Sequence, residues 1–363
     1  MIVQTYFPQK LSPARYDAYL ASGWFRGSIM LYKMDLLCLE KDIFSVVNIR
    51  LNLDEHEFRS RHKRLLRKND KRFRVSICKA QPNVSKEELY EKQKSRFKGF
   101  IHSSLDDYLY QGHLQSPFST YEVNVYDGHR LVAASMFDIG AKSIASLIGM
   151  QDPEYAKYSL GIYTMLKEIE YSNLLCLKWY YPGYVLDRPS SFNYKLTLGT
   201  FEHYNTNKRW STYSKFNPED SVASKFKKKL SRLEDCFRHH AIECDSWLYP
   251  YFSMGYMGYW NVEFLRAPKY LEIMTGVQGL HLVAYFDIEK QVYVAAWLEE
   301  SESHDHLINM EMSGEFLAED GYMMKLMEVT RPVCESHDPV FIAAEIKNLV
   351  SKSGTQIHGN HNS

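Results

Sequence analysis

Residues 121–138, YEVNVYDGHRLVAASMFD, decide the fold. Two runs flank Asp127-Gly128, a pair that accepts the positive φ angles of a tight hairpin turn, so 121–126 and 130–137 are predicted to pair antiparallel. Ser143 to Met150 adds a third strand. Then comes 151–170, QDPEYAKYSLGIYTMLKEIE, in which Asp152-Pro153 closes the strand and Ser159-Leu160-Gly161 opens a helix striped with Ile162, Leu166 and Ile169. The helix is predicted over 154 to about 174 and leads to a strand over 177–181. Three antiparallel strands, a crossing helix and a further strand make an α+β fold with a mixed, mostly antiparallel sheet and flanking helices. The helix start presents unpaired N–H groups and a partial positive charge, which is a site for an anion such as phosphate.

Upstream, the pattern predicts a helix over 14–22, strands over 28–33 and 43–53, a highly charged helix over 55–68, a strand over 74–78, and helices over 86–97 and 105–110. Downstream of 210 it predicts an amphipathic helix over 220–240, a hairpin of 280–288 with 291–298, short helices over 321–328 and 342–350, and a disordered polar tail over 351–363. Four segments follow: 1–80 with the basic helix, 81–210 as the central domain, 211–350 as an α+β extension, and the tail.

The chain of 363 residues is 45% hydrophobic, enough for more than one core. Lys plus Arg and Asp plus Glu are both 44, so net charge names no partner, but the distribution is uneven. Nine bases stand against one acid between Arg59 and Arg74, and twelve acids against three bases between Glu299 and Lys347. That asymmetry points to nucleic acid on one face. Six scattered cysteines with no C-x-x-C pair fit a reducing compartment and speak against a zinc or iron–sulfur site. The start MIVQTYFPQK lacks the order of a signal peptide and no run is long and apolar enough to span a bilayer, so a cytoplasmic protein without a membrane partner is expected.

Asp152-Pro153, then Ser159-Leu160-Gly161-x-Tyr163, the long helix and Tyr180-Tyr181-Pro182-Gly183-Tyr184 resemble the C-terminal domain of the arginyl-tRNA-protein transferase family, which includes the bacterial leucyl-tRNA-protein transferases. Collinear matches are Gly23-Trp24, the stretch 61–69, Glu88-Leu89-Tyr90, 118–120, the hairpin up to Asp138, and Asn193-Tyr194-Lys195. The resemblance covers roughly residues 14 to 210. It implies an acetyltransferase-like (GNAT) fold that takes aminoacyl-tRNA in place of acetyl-CoA, and transfer of an amino acid, arginine foremost and leucine as the alternative, to the N-terminal α-amine of proteins with acidic starts. No cofactor is implied. An α-amine with an ordinary pKa near 7.7 to 8.0 is partly neutral at cellular pH, so alignment, a proton acceptor and oxyanion stabilisation would suffice.

The resemblance assigns Asp138, Tyr181 and Tyr184 to catalysis; a strand-end aspartate capping the turn at Gly140 is the plainer reading of Asp138. It assigns Tyr158, Ser159, Gly161, Tyr163, Tyr180, Gly183, Asn193, Tyr194 and Lys195 to substrate binding, with aromatic stacking on the terminal adenine. Arg59, Arg61, Lys63, Arg64, Arg67 and Lys68 are the candidate tRNA-backbone contacts. Where family members often carry Arg before the Ser, this chain has Tyr158, and of their cysteine cluster it keeps only Cys38. An acyl-CoA N-acyltransferase and a non-catalytic RNA- or protein-binding relative are the competing readings.

Overall fold

The strand-and-helix order begins with β1 (Val3–Tyr6), α1 (Pro13–Ala21), β2 (Phe25–Gly27), β3 (Met30–Met34), β4 (Leu36–Leu39) and β5 (Asp42–Asn52). Next are α2 (Ser60–Asp70), β6 (Arg74–Lys79), α3 (Val84–Lys94), β7 (Phe100–Ile101), α4 (Leu105–Tyr110), β8 (Thr120–Asp127), β9 (Arg130–Ile139) and β10 (Ser143–Gln151). They are followed by α5 (Leu160–Leu174), β11 (Trp179–Tyr181), β12 (Tyr184–Leu186), β13 (Phe201–Tyr204) and β14 (Trp210–Thr212). The chain closes with α6 (Val222–His239), β15 (Asp245–Leu248), α7 (Met254–Met257), β16 (Lys269–Thr275), β17 (Leu280–Asp287), β18 (Val292–Glu300), β19 (Glu311–Met312), β20 (Met327–Ser336) and α8 (Pro339–His358). This computed structural model describes residues 2–97, 100–113, 115–258, 261–276, 279–301, 311–312 and 321–358.

The central sheet runs β14-β13-β5-β11-β10-β9-β8-β6. Within it β10 and β11 run parallel and the other described pairs antiparallel. The hairpin around Asp127-Gly128 forms as the alternation predicts, with Gly128 at φ +61°. Leu131 through Asp138 are nevertheless all buried. Helices cover both sides of β9: Leu160, Leu166 and Ile169 of α5 pack with Val132 and Phe137, while Leu89 and Tyr90 of α3 and Leu105 and Leu109 of α4 pack with Leu131, Ala134 and Met136.

A boundary at residue 80 does not divide the molecule, because β5 and β6 lie in the same sheet as β8 to β11. The expected helix over 154–174 also starts later. Pro153 to Tyr158 form a tight 3-10 turn capped by Asp152, and Ser159, at φ +52°, breaks the path before α5 begins.

The second sheet runs β15-β16-β17-β18-β20, all antiparallel, and α6 and α8 contribute Phe226, Leu230, Phe237, Ile342 and Ile346 to its core. Leu36, Cys38 and Ile43 of β4 and β5 belong to that same core, so the extension is fused to the first module by continuous apolar packing. The segment 321–328, read as a helix, instead turns at Tyr322 and enters β20 at Met327, which buries Leu326 and Met327 completely. The 351–363 tail is not wholly irregular either: α8 continues to His358, and 359–363 lie outside the described residues.

Phe237 is fully buried where α6 meets the second sheet. Phe237→Ala is expected to cost about 3–5 kcal/mol of stability, read as a lowered urea midpoint; an unchanged midpoint would contradict this packing.

Candidate active site

Strands β10 and β11 pair only from Ser143 to Ala145 against Trp179 to Tyr181. Beyond Ala145 they part. On one side the register of β9 and β10 slips between Ser146 and Ile148, leaving Leu147 as a bulge whose carbonyl accepts from Tyr108 Oη at 3.2 Å. On the other, Pro182-Gly183, with Gly183 at φ +88°, ends β11, and β12 pairs with β5 instead.

The opening is a groove of about 670 Å³. Ser146, residues 148–151 and Ser135 form one wall, Gly161, Ile162 and Met165 of α5 lie along it, and Pro182, Tyr184, Phe192, Tyr194 and Lys195 form the opposite wall. Tyr108, Ser146, Tyr184, Phe192 and Lys195 also border a second chamber of about 280 Å³. Its remaining walls are largely aromatic, including Tyr16, Trp24, Phe25, Tyr32, Tyr181 and Trp210.

Lys195 stands between the two spaces. Its Nζ donates to the Tyr184 carbonyl at 2.9 Å and lies 5.2 Å and 5.1 Å from the centres of the Tyr184 and Phe192 rings. Among the described residues no carboxylate pairs with it, and burial lowers its pKa to about 8. The φ of +88° and not space is what calls for glycine at 183, since a Cβ there would meet Nζ at an ordinary contact distance of 3.5 Å. Burial pushes the Tyr184 phenol up to about 12, so it stays a hydrogen-bond donor at neutral pH.

At the helix start, Ser159 and Gly161 line the groove. The Gly161 N–H already donates to Gln151 Oε1 at 3.0 Å, and a Cβ at Gly161 would find its nearest neighbour 3.9 Å away. Close packing of α5 on the sheet therefore does not require a glycine here.

Several anticipated contacts are engaged elsewhere. Asp138 is completely buried: Oδ1 accepts from Arg26 Nη1 and Thr120 Oγ1, both at 2.7 Å, and Oδ2 from Tyr16 Oη at 3.1 Å. Its carboxylate anchors Arg26, whose other donors reach the Ser28 and Leu109 carbonyls, and it does not line the groove. Tyr163 and Tyr180 are core residues whose hydroxyls donate to Asp70 at 2.6 Å and Glu168 at 2.7 Å. Asn193 caps the turn at Ser190. Tyr158 lies against Phe73 with Lys68, Arg72 and Lys157 around its ring, outside the groove lining. Tyr181 lies on the aromatic chamber and Tyr194, 47% exposed, on the groove rim.

The pattern reading missed Arg26, Ser146, Tyr108 and Glu168. Glu168 is fully buried on α5 with its pKa raised to about 7 by burial, a carboxylate set among that helix's apolar positions. That placement was the one readable signal. Among the described residues no three His, Cys, Asp or Glu side chains converge on a possible metal position, and no helix is long and apolar enough to cross a membrane.

The basic helix α2 sits beside the groove. Arg59, Arg61, Lys63, Arg64, Arg67 and Lys68 are all exposed, while His62, Leu66 and Asn69 face inward. Asn69 Nδ2 donates to the Tyr158 carbonyl at 3.0 Å, and Asp70 takes both Tyr163 Oη at 2.6 Å and Lys167 Nζ at 2.7 Å. Thus α2 is bolted to the first turns of α5. Arg59 and Arg61 also donate to the carbonyls of Gly199 and Thr197.

Residues 77–205, which include the hairpin, the splayed strands and the Lys195 wall, match the family described as arginine-tRNA-protein transferase, C terminus. Through this segment the chain is similar to the aminoacyl-tRNA-protein transferases. These are enzymes. An aspartate/glutamate leucyltransferase of Leptospira interrogans is 28% identical over 196 residues, covering 52% of this chain and 74% of that protein. One from Campylobacter jejuni is 25% identical over 170 residues (43% and 66%), and one from Helicobacter hepaticus 27% over 205 (53% and 80%). Solved structures overlap only weakly. The C-terminal domain of a putative lysylphosphatidylglycerol synthetase from Agrobacterium fabrum has a TM-score of 0.32 at 7% identity, covering 39% of this chain and 47% of that one. FemX has 0.29 at 10%, covering 48% and 61%. Overlaps of that size carry no weight for function.

Arg26 and Asp138 are 2% and 0% exposed at their side chains, so removing one partner leaves a buried unpaired charge. Arg26→Met is expected to lower stability by about 3–5 kcal/mol in guanidinium unfolding, and adding Asp138→Asn to recover part of it. A single variant as stable as the parent would show that this ion pair does not hold the site.

Proposed function

We propose that this enzyme moves an apolar amino acid, leucine foremost, from aminoacyl-tRNA to the N-terminal α-amine of an acceptor protein. The observation that carries the choice of donor is the groove lining: among the described residues around it there is no Asp or Glu. An arginyl side chain would be desolvated there without a carboxylate partner, which is costly, whereas a leucyl side chain gains by leaving water. The relatives' names, aspartate/glutamate leucyltransferase, support the same donor and an acidic first residue in the acceptor. The expectation of arginine gives way to leucine on these grounds.

In this reading the exposed bases of α2 hold the tRNA backbone, and the groove receives the terminal adenosine with its ester. Tyr194 at the rim offers a ring to the adenine. The aromatic chamber receives the acceptor's first residue. Lys195, at the junction, takes in its neutral form the proton that the attacking amine releases. In this reading the Tyr184 hydroxyl and the backbone at the Leu147 bulge, both bordering the aromatic chamber, stabilise the oxyanion. Asp138 acts indirectly, by fixing Arg26 and Tyr16 behind the chamber.

The direct test offers leucyl-, arginyl- and unfractionated charged tRNA with radiolabelled amino acids, together with peptides starting in Asp, Glu, Lys or Ala. Leucine is expected on the Asp and Glu peptides. Label from arginine alone would overturn the donor assignment, and label from none, or transfer from acetyl-CoA, would overturn the function.

The role of Lys195 has its own signature. With Lys195 as proton acceptor, kcat should rise with pH as the ammonium loses its proton near pH 8 and level off above it. Lys195→Met should remove that limb and lower kcat about 100-fold with tRNA affinity unchanged; a retained limb would assign the titration to another group.

A further inference from the structure

A third cavity, of about 710 Å³, adjoins the aromatic chamber across Trp24 and Asn48, which border both spaces. It is walled by β3, β5, the β13–β14 hairpin and the segment leading into α6. Two of its side chains carry buried polar atoms without a partner. Asn48 is 8% exposed; its Nδ2 donates to the Gly23 carbonyl at 2.8 Å, but Oδ1 is unpaired. His203 is 5% exposed and its Nδ1 is unpaired. Buried polar groups are nearly always satisfied, so Asn48 Oδ1 in particular is open to a hydrogen-bond donor entering the cavity.

Charge narrows the class of ligand. Lys33 is committed to the Ser22 carbonyl at 3.0 Å and the Tyr204 ring, and its field opposes the burial that raises the Asp35 pKa. Asp220 accepts from Asn217 Nδ2 at 2.8 Å. Lys208, held at the hairpin tip with φ +59°, and Lys215 are exposed and take part in no ion pair among the described residues. A nucleic-acid backbone would bring Asn48 no donor but a 2′-hydroxyl and would carry a phosphate at every residue past Asp35 and Asp220, whereas a peptide is charged only where its side chains are. A peptide brings N–H donors for the unpaired acceptors as well as carboxylates for the open lysines.

We propose that this cavity binds the acceptor polypeptide beyond its first residue, as an extended segment whose backbone N–H groups meet Asn48 Oδ1 and whose acidic side chains pair with Lys208 and Lys215. The inference rests on the functional reading above, because it takes the α-amine to lie beside Lys195. From there the aromatic chamber leads past Trp24 and Asn48 into the third cavity, so acceptor residues two onward occupy it. Specificity then extends beyond the N-terminal residue to acidic residues several positions on.

The test measures binding by fluorescence anisotropy, with the full chain and a labelled ten-residue peptide that begins with Asp and carries Asp or Glu at positions three to six. Lys208→Glu combined with Lys215→Glu should weaken this peptide at least tenfold, leave the affinity for tRNA unchanged, and leave competition by an Asp-Ala dipeptide unchanged. No measurable binding of the long peptide to the parent, equal affinity for parent and variant, or a parallel loss of tRNA affinity would each overturn the proposal. Because the readout needs no turnover, failure of transfer in the assay above counts against the activity alone. Charge-dependent peptide binding would still establish the site.

Discussion

The parting of β10 from β11 after Ala145 is the constraint on which the rest depends. A parallel pair that zipped to its full length would place backbone hydrogen bonds where the groove now lies. Two local devices prevent it: the bulge at Leu147 shifts the ladder with β9, and Pro182-Gly183 removes an N–H and interrupts β11, after which β12 continues along β5 without β10. The groove is therefore a property of backbone geometry, and side chains only line it. Lys195, Tyr184 and Phe192 gain their placement from the same event, since the chain after β12 returns along the opened edge.

Much of the central module was legible because its signals are local. The turn at Asp127-Gly128, the strand close at Asp152-Pro153 and the apolar stripe of α5 each depend on a few adjacent residues, and each appears where the pattern put it. Roles that depend on distant partners were not legible. Nothing near Asp138 in sequence announces that Arg26, 112 positions away, claims its carboxylate, and nothing near Tyr163 announces Asp70. The segment 321–328 misled for the same reason, since its short apolar run fits either period and the decision came from the vacant edge of β18. Lys195 was picked out by resemblance, but its lowered pKa arises from burial between two rings, which is tertiary information.

The second module is not a loose appendage. Leu36, Cys38 and Ile43 are shared with its core, and the Cys38 sulfur lies 3.4 Å from the Pro268 carbonyl. Strand β5 thus serves both modules, its first residues in one core and its later ones beneath the active groove. Burial also pushes the Cys38 thiol well up, so it behaves as a packing residue without thiolate character.

Asp70 ends the basic helix and at the same time receives Tyr163 and Lys167 from the helix bordering the groove. One carboxylate thus pins the exposed basic face of α2 to the helix that borders the groove. Two helices far apart in sequence are thereby held in register at a single acidic side chain, so the spacing between the basic face and the groove is set by side-chain contacts and not by a connecting loop.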